Sequence, residues 1–444
     1  MPKLALSVER FSTVLPFKCW LDSPKSDIFV AEGVDQLTIR GWAFSQEVVE
    51  LIICVDGRKQ MLPMNQTRPD VTKKIQQNEG EVEEIVCGFN YSIGLKFRTV
   101  RIGFLNLGKE YWIAKIDSNA AAGVICGVGG WLFLDNDTNR SVDQFQGKSL
   151  LPQPVLDGWQ IYLDEVSKEA AQLNVMWKIL VAPAKEEVFP DFYPHERGVI
   201  TPIDQFLRKF SETNKVIFPL AALLESRDLT YYTVDTHWSD FGAYVAASEV
   251  LENYGLAELR SKLSTSYKIV SSQGDLGSKM LPPRTSGRLV ATFENCSVKK
   301  VFDNGLLNTG KIWIYENVKA AVNETLIIFG DSFSLNMAKL LAKVFGRVVY
   351  THTVAKWDQE IVLAERAKYV LLQTNQRFLV SVPQANINTW TLARAKLSKL
   401  TSDEANGLLK HLQSFGESES FYLEKMRRLL EECAVTQREM MGRV

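Results

Sequence analysis

The chain runs to 444 residues, of which 46% are hydrophobic and 23% charged, the balance of a soluble globular protein with material for two or three domains. Lysine and arginine total 51 against 52 acidic residues, a formal net charge of −1. That balance argues against a nucleic-acid partner, because neutralising phosphates needs a basic face. The six cysteines, at 19, 54, 87, 126, 296 and 433, form no CxxC and no Cys/His cluster, so neither a disulfide framework nor a metal site is expected.

Up to about residue 118 the pattern is all-β. Asp35–Ile39, Val48–Val55, Val82–Cys87 and Thr99–Leu105 are short β-branched and apolar runs between turn signals. Asp56-Gly57 between Val55 and Arg58 is a hairpin signal, and Gly41-Trp42-Ala43-Phe44 is expected at a sheet edge or corner. An antiparallel sandwich of about a hundred residues fits this stretch. The uncharged run Ala120–Leu134 is too short for the roughly 20 residues that span a bilayer. The first residues carry Lys3, Glu9 and Arg10 with no apolar leader core, so a cytoplasmic protein is expected, or a periplasmic one if a leader precedes this sequence.

From residue 119 to about 400 buried strands alternate with helices, which implies a parallel α/β sheet with functional groups at the carboxyl ends of its strands. The expected strands are Trp177–Val181, Val216–Phe218, Thr325–Phe329, Arg347–Tyr350 and Tyr369–Leu372. Thr201-Pro202 reads as a helix start. Residues 401–444 are helical, and Leu423, Met426, Leu430 and Cys433 make an apolar stripe. The stripe is expected to pack on its own domain, with association between copies as the alternative.

Two segments carry chemistry. Thr325–Phe329 runs into Gly330-Asp331-Ser332 and then a helical pattern, the strand–turn–helix context that exposes a nucleophilic serine. Gly330 permits a tight turn, and the Ser332 N–H can help hold an oxyanion. The alternative is that Asp331 or Ser332 merely caps the helix. In Asp235-Thr236-His237-Trp238 the carboxylate and the imidazole lie one residue apart, so in an extended loop they point the same way. Asp235 can then fix the His237 tautomer and leave Nε2 as general base. Ser239 or Asp240 would cap the helix that follows. His352, beyond the strand Arg347–Tyr350, is a candidate second oxyanion donor or sugar contact, with a surface loop histidine as the alternative.

Asp235-Thr-His-Trp238 upstream of Gly330-Asp-Ser-Phe333 resembles the SGNH-hydrolase-like domain of the alginate O-acetyltransferase family. Gly130-Trp-Leu-Phe-Leu134, Val181-Ala-Pro-Ala-Lys185, Gly274-Asp-Leu276 and Asn375-Gln-Arg377-Phe-Leu379 agree with it in order, over about residues 123–390. The resemblance implies an SGNH-like parallel sheet flanked by helices and a triad in the order Asp235, His237, Ser332, whereas ordinary SGNH esterases place Asp and His after Ser. It implies acetyl transfer to hydroxyls of a bacterial surface glycan, with acetyl-CoA or another acyl donor as co-substrate, no tightly bound cofactor, and association with polysaccharide-synthesis machinery. Trp238, Gly330 and Arg377 become substrate-binding or oxyanion candidates. The chain departs from relatives at Gln373 and Gln376, where they often carry Glu. The N-terminal module is similar, through Gly41-Trp-Ala-Phe44, Arg68-Pro-Asp-Val71 and Gly88-Phe89, to β modules attached to bacterial glycosyltransferases, with Trp42 as a core aromatic or a sugar platform. An esterase using the same triad and a non-catalytic glycan-binding scaffold remain the alternatives.

Overall fold

A computed structural model describes residues 5–11, 14–30, 34–45, 47–79, 86–95, 97, 99–118, 123–281, 283–293, 297–415 and 420–441. The chain divides into two compact units, Met1–Ile125 with Gln273–Thr285, and Cys126–Ser272 with Ser286–Val444.

In the first unit two sheets enclose one core. One has the strand order Met280–Leu281, Ile28–Val30, Ala5–Arg10, Lys109–Ser118, Thr99–Asn106, Val49–Val55, Arg58–Leu62. The other is Lys18–Ser23, Gln36–Phe44, Gly88–Gly94. Alternate residues of each strand face inward, so Leu37, Ile39 and Phe89 meet Leu51, Ile53, Ile102 and Phe104. Asp56 and Gly57 close their hairpin with φ of 47° and 85°, the positive pair a two-residue turn of this hand requires.

Gly41-Trp-Ala-Phe44 lies in the central strand of the three-stranded sheet, not at an edge or corner. Gly41 is there for close approach: a Cβ would collide with the Trp20 carbonyl and lie 2.6 Å from the Phe89 ring. Trp42 is half-buried against Val71, Ile75 and Cys87, of which Val71 and Ile75 come from the helix Pro69–Glu79. Of the expected strand Val82–Cys87, residues 82–85 lie outside the described residues.

The second unit is built on a seven-stranded sheet. Its order is Val216–Ile217, Met176–Ala182, Tyr369–Asn375, Val322–Gly330, Phe345–His352, Ile312–Asn317, Val298–Asp303. The first five strands, those legible in the sequence, are mutually parallel. The last two are added antiparallel at one edge. Their outermost strand carries Lys299 and Lys300, charges that suit an edge and hide it from a search for apolar runs.

The parallel strands are buried through their carboxyl-terminal halves, as helices on both faces demand, while Met176, Asn323 and Glu324 near strand starts stay exposed. Thr201 forms a capping box with Asp204 and starts the helix Pro202–Phe210. Leu423, Met426, Leu430 and Cys433 of the helix Ser420–Met441 join the unit's own core beside Trp390 and Phe302, so the apolar stripe is already covered. Among the described residues, no helix is long and apolar enough to cross a membrane.

Candidate active site

The strand Val322–Gly330 delivers the Asp331–Ser332 turn, with its candidate nucleophile, at its carboxyl end between the ends of Tyr369–Asn375 and Phe345–His352. Gly330 has no positive φ; its lack of a Cβ provides room rather than a turn conformation. A Cβ there would collide with Ser334 Oγ and lie 2.9 Å from Gln373 Oε1. Gln373 comes from the neighbouring strand, and its Oε1 accepts from the Asp331 N–H at 2.8 Å and from Ser334 Oγ at 2.7 Å. The Phe333 N–H donates to Asp331 Oδ1 at 2.8 Å, the Ser334 N–H to the Asp331 carbonyl at 3.1 Å, and the Leu335 N–H to the Ser332 carbonyl at 3.3 Å. Four of five successive amides are therefore committed. The fifth, Ser332 N–H, donates to nothing among the described residues and is the one an oxyanion can use.

The Asp-x-His segment is a tight loop closed by an isolated bridge between Tyr231 and Trp238, not an extended stretch. Asp235 Oδ1 accepts from the His237 backbone N–H at 2.9 Å and faces His237 Nδ1 at 2.7 Å. The side chains meet because the carboxylate folds back two residues in an Asx turn. With Nδ1–H donating to the carboxylate, Nε2 is left as acceptor, 2.7 Å from Ser332 Oγ. Asp235, His237 and Ser332 thus form one continuous relay.

Trp238 is buried rather than presented to a substrate: its indole N–H donates to the Phe333 carbonyl at 2.9 Å and its ring packs edge-on to Phe333. It ties the His loop to the nucleophile turn. Ser239 caps the helix Asp240–Asn253 by accepting from the Gly242 N–H. Asp240 then receives Tyr232 Oη at 3.0 Å, Asn336 Nδ2 at 2.6 Å and the Ala291 N–H at 2.8 Å, which joins the loop to the nucleophile helix Ser334–Leu341.

Lys185 had no role readable in the sequence. It follows the strand Met176–Ala182, is 3% exposed, and donates to the carbonyls of Leu132, Thr233 and Asp235 at 2.7, 2.9 and 3.0 Å. Three backbone carbonyls satisfy a buried ammonium while the ammonium orders the loop that carries Asp235. Its neighbour Glu186 lines a small cavity with Leu134, Thr236, Phe333, Asn375 and Arg377. Burial pushes the Glu186 carboxyl up to about 7. Arg377 reaches this cavity, with Nε 3.6 Å from an Asp137 carboxylate oxygen. Gln376 donates to Glu187 Oε1 at 2.8 Å and accepts from the Ala184 N–H at 3.2 Å, so it braces the same loop.

His352 lies inside the strand Phe345–His352 and is 8% exposed, so it is neither in a loop nor on the surface. Its Nδ1 is 3.0 Å from Tyr350 Oη, and Tyr350 Oη donates to the Asp331 carbonyl at 2.8 Å. Burial first, then the charges of Lys396 and Lys311, lower its pKa to about 4. Its link to the nucleophile turn runs through Tyr350.

A parallel sheet with Ser, His and Asp converging at its carboxyl edge defines the class, an SGNH-hydrolase-like fold behind a β-rich N-terminal region. Residues 124–354, just over half the chain, match the model of the SGNH hydrolase-like domain of the acetyltransferase AlgX, and the chain belongs to that family. Similar solved structures include PatB1 of Bacillus cereus, 14% identical over 58% of this chain and 96% of that one with a TM-score of 0.43. The O-acetyltransferase domain of Pseudomonas putida AlgJ is 16% identical over 62% and 100%, with a TM-score of 0.39. Pseudomonas aeruginosa AlgX is 12% identical over 60% and 70%, with a TM-score of 0.36. No curated protein matches the chain.

Proposed function

We propose that the second unit transfers acetyl groups to polysaccharide hydroxyls through an acyl-enzyme on Ser332. The observation that carries this reading is the unbroken relay from Asp235 through His237 to Ser332 Oγ, with the Ser332 N–H left over as a donor. Membership of an acetyltransferase family supports acetyl as the group transferred, and the resemblance to alginate O-acetyltransferases suggests a polysaccharide acceptor. His237 Nε2 takes the Ser332 proton as Oγ attacks the donor carbonyl, and the Ser332 N–H receives the negative oxygen. The imidazolium, held by Asp235, then protonates the leaving group, and the acetyl ester remains on Oγ. A glycan hydroxyl next gives its proton to His237 and attacks that ester, and the proton returns to Ser332. Acetyl-CoA or another activated acyl carrier fills the donor role, and polysaccharide-synthesis machinery delivers the acceptor.

The test uses a chromogenic acetyl ester with and without oligosaccharide acceptors. Acceptor-dependent acceleration with acetylated sugar as product is expected, and Ser332→Ala should abolish both. Release to water alone, unaffected by any acceptor, would leave an esterase. Undiminished transfer by Ser332→Ala would end the acyl-enzyme reading.

A further inference from the structure

We propose that Tyr350 and His352 are positioning residues that set the oxyanion donor from behind, through the Asp331–Ser332 peptide. This rests on the acyl-enzyme reading and adds to it. The carbonyl of Asp331 and the N–H of Ser332 belong to one planar trans peptide, so they point in opposite directions. That carbonyl receives Tyr350 Oη at 2.8 Å and the Ser334 N–H at 3.1 Å. With both contacts made, the peptide plane cannot rotate freely, and the Ser332 N–H is aimed away from Tyr350. A carbonyl that accepts hydrogen bonds also polarises its own amide, which strengthens the opposite N–H as a donor.

The role of His352 follows from proton counting. Tyr350 has one hydroxyl proton, and a carbonyl oxygen cannot donate, so that proton lies toward Asp331. The 3.0 Å contact between Tyr350 Oη and His352 Nδ1 is then a hydrogen bond only if Nδ1 carries the proton. His352 therefore carries a proton on Nδ1, and with burial holding its pKa down to about 4 it is a neutral Nδ1–H imidazole that fixes the phenol. Both side chains project from one strand two residues apart, and so on the same face, with Ile328 and Gly330 of the nucleophile strand as their register partners. Tyr350 is fully buried, which leaves the phenol no water to turn toward.

Two measurements on the full chain test this. The first is ring ¹⁵N NMR of His352, assigned with His352→Asn, across neutral pH. A neutral ring protonated at Nδ1 throughout is expected; an Nε2–H tautomer, or a ring that titrates like a free histidine, overturns the relay whatever the activity. The second compares an acetyl ester with its thionoester in wild type, Tyr350→Phe, His352→Phe and His352→Asn. Sulfur accepts hydrogen bonds poorly, so the oxygen-over-sulfur preference reports the oxyanion donor. Tyr350→Phe should lower kcat roughly 10- to 100-fold, less than outright loss of a donor, with KM nearly unchanged and the oxygen preference reduced. His352→Phe should follow in the same direction, and His352→Asn, whose amide can replace Nδ1–H, should restore most of the loss. A fall in rate with the oxygen preference intact would make these residues merely structural and overturn the proposal, as would unchanged rates. If Ser332→Ala were as active as wild type, the acyl-enzyme reading would fall, and the NMR result would still decide the relay.

Discussion

Replacing Glu186 by Gln should make the protein more stable above neutral pH and leave it unchanged in mild acid. The carboxyl lies in the cavity beside Phe333 and Arg377, where burial, with a smaller push from Glu187, raises its pKa to about 7 from 4.5 against the weaker opposing pull of a backbone hydrogen bond, Arg377 and Lys185. Between those values the folded protein holds a proton that the unfolded chain has released. Stability from this site is therefore complete below 4.5 and is lost as pH rises through about 7. The gap between the two pKa values corresponds to about 3 kcal/mol of destabilisation once the carboxyl ionises in place. Gln has nearly the same shape, stays neutral, and escapes that loss. Urea unfolding of both proteins at about pH 4 and about pH 8 isolates the effect, because every other titrating group cancels in the difference. An advantage of Glu186→Gln that is equal at both pH values, or absent at the higher one, would refute the buried-acid assignment.

Gly330→Ala should lower stability by about 1–3 kcal/mol in thermal unfolding, since its Cβ would lie 2.8 Å from Ser334 Cβ and 2.9 Å from Gln373 Oε1. Turnover should fall as well, because the same displacement moves Ser332 from His237. Lys185→Met should cost at least about 3 kcal/mol in denaturant unfolding, by leaving the carbonyls of Leu132, Thr233 and Asp235 without their charged donor.

The parts of the site that were legible in the sequence are those whose geometry is local. Asp235 and His237 meet through a two-residue turn, and Ser332 follows a buried strand directly, so spacing and periodicity reach both. Gln373, Tyr350 and Lys185 were not legible because their contacts depend on strand order. Tyr369–Asn375 inserts between Met176–Ala182 and Val322–Gly330, and only that insertion places Gln373 beside the nucleophile turn. Trp238 misleads for a related reason. In sequence it is an aromatic beside a candidate catalytic histidine, but the bridge from Tyr231 turns its ring beneath Phe333. Of the two strands added antiparallel, Val298–Asp303 escaped because Lys299 and Lys300 break its apolar run, whereas Ile312–Asn317 carries an unbroken run, Ile312–Tyr315, that the sequence reading passed over.

The nucleophile turn is held from three sides, and each side takes a different backbone group. Gln373, from one flanking strand, occupies the Asp331 N–H. Tyr350, from the other flanking strand, occupies the Asp331 carbonyl. Trp238, from the loop that carries the base, occupies the Phe333 carbonyl. None of the three is hydrogen-bonded to Ser332 Oγ: Gln373 takes up one competing N–H, and Tyr350 and Trp238 hold two carbonyls of the turn in place. A strand with parallel neighbours on both sides is the place where such bracing is available, because both neighbours end at the same edge with side chains directed along it. The base arrives on a loop, but that loop is fastened through Lys185 to the end of another strand of the same sheet. In the proposed acyl-enzyme mechanism, nucleophile, base and oxyanion donor are thus all referred to one rigid element, which would leave little reorganisation for the moment of reaction.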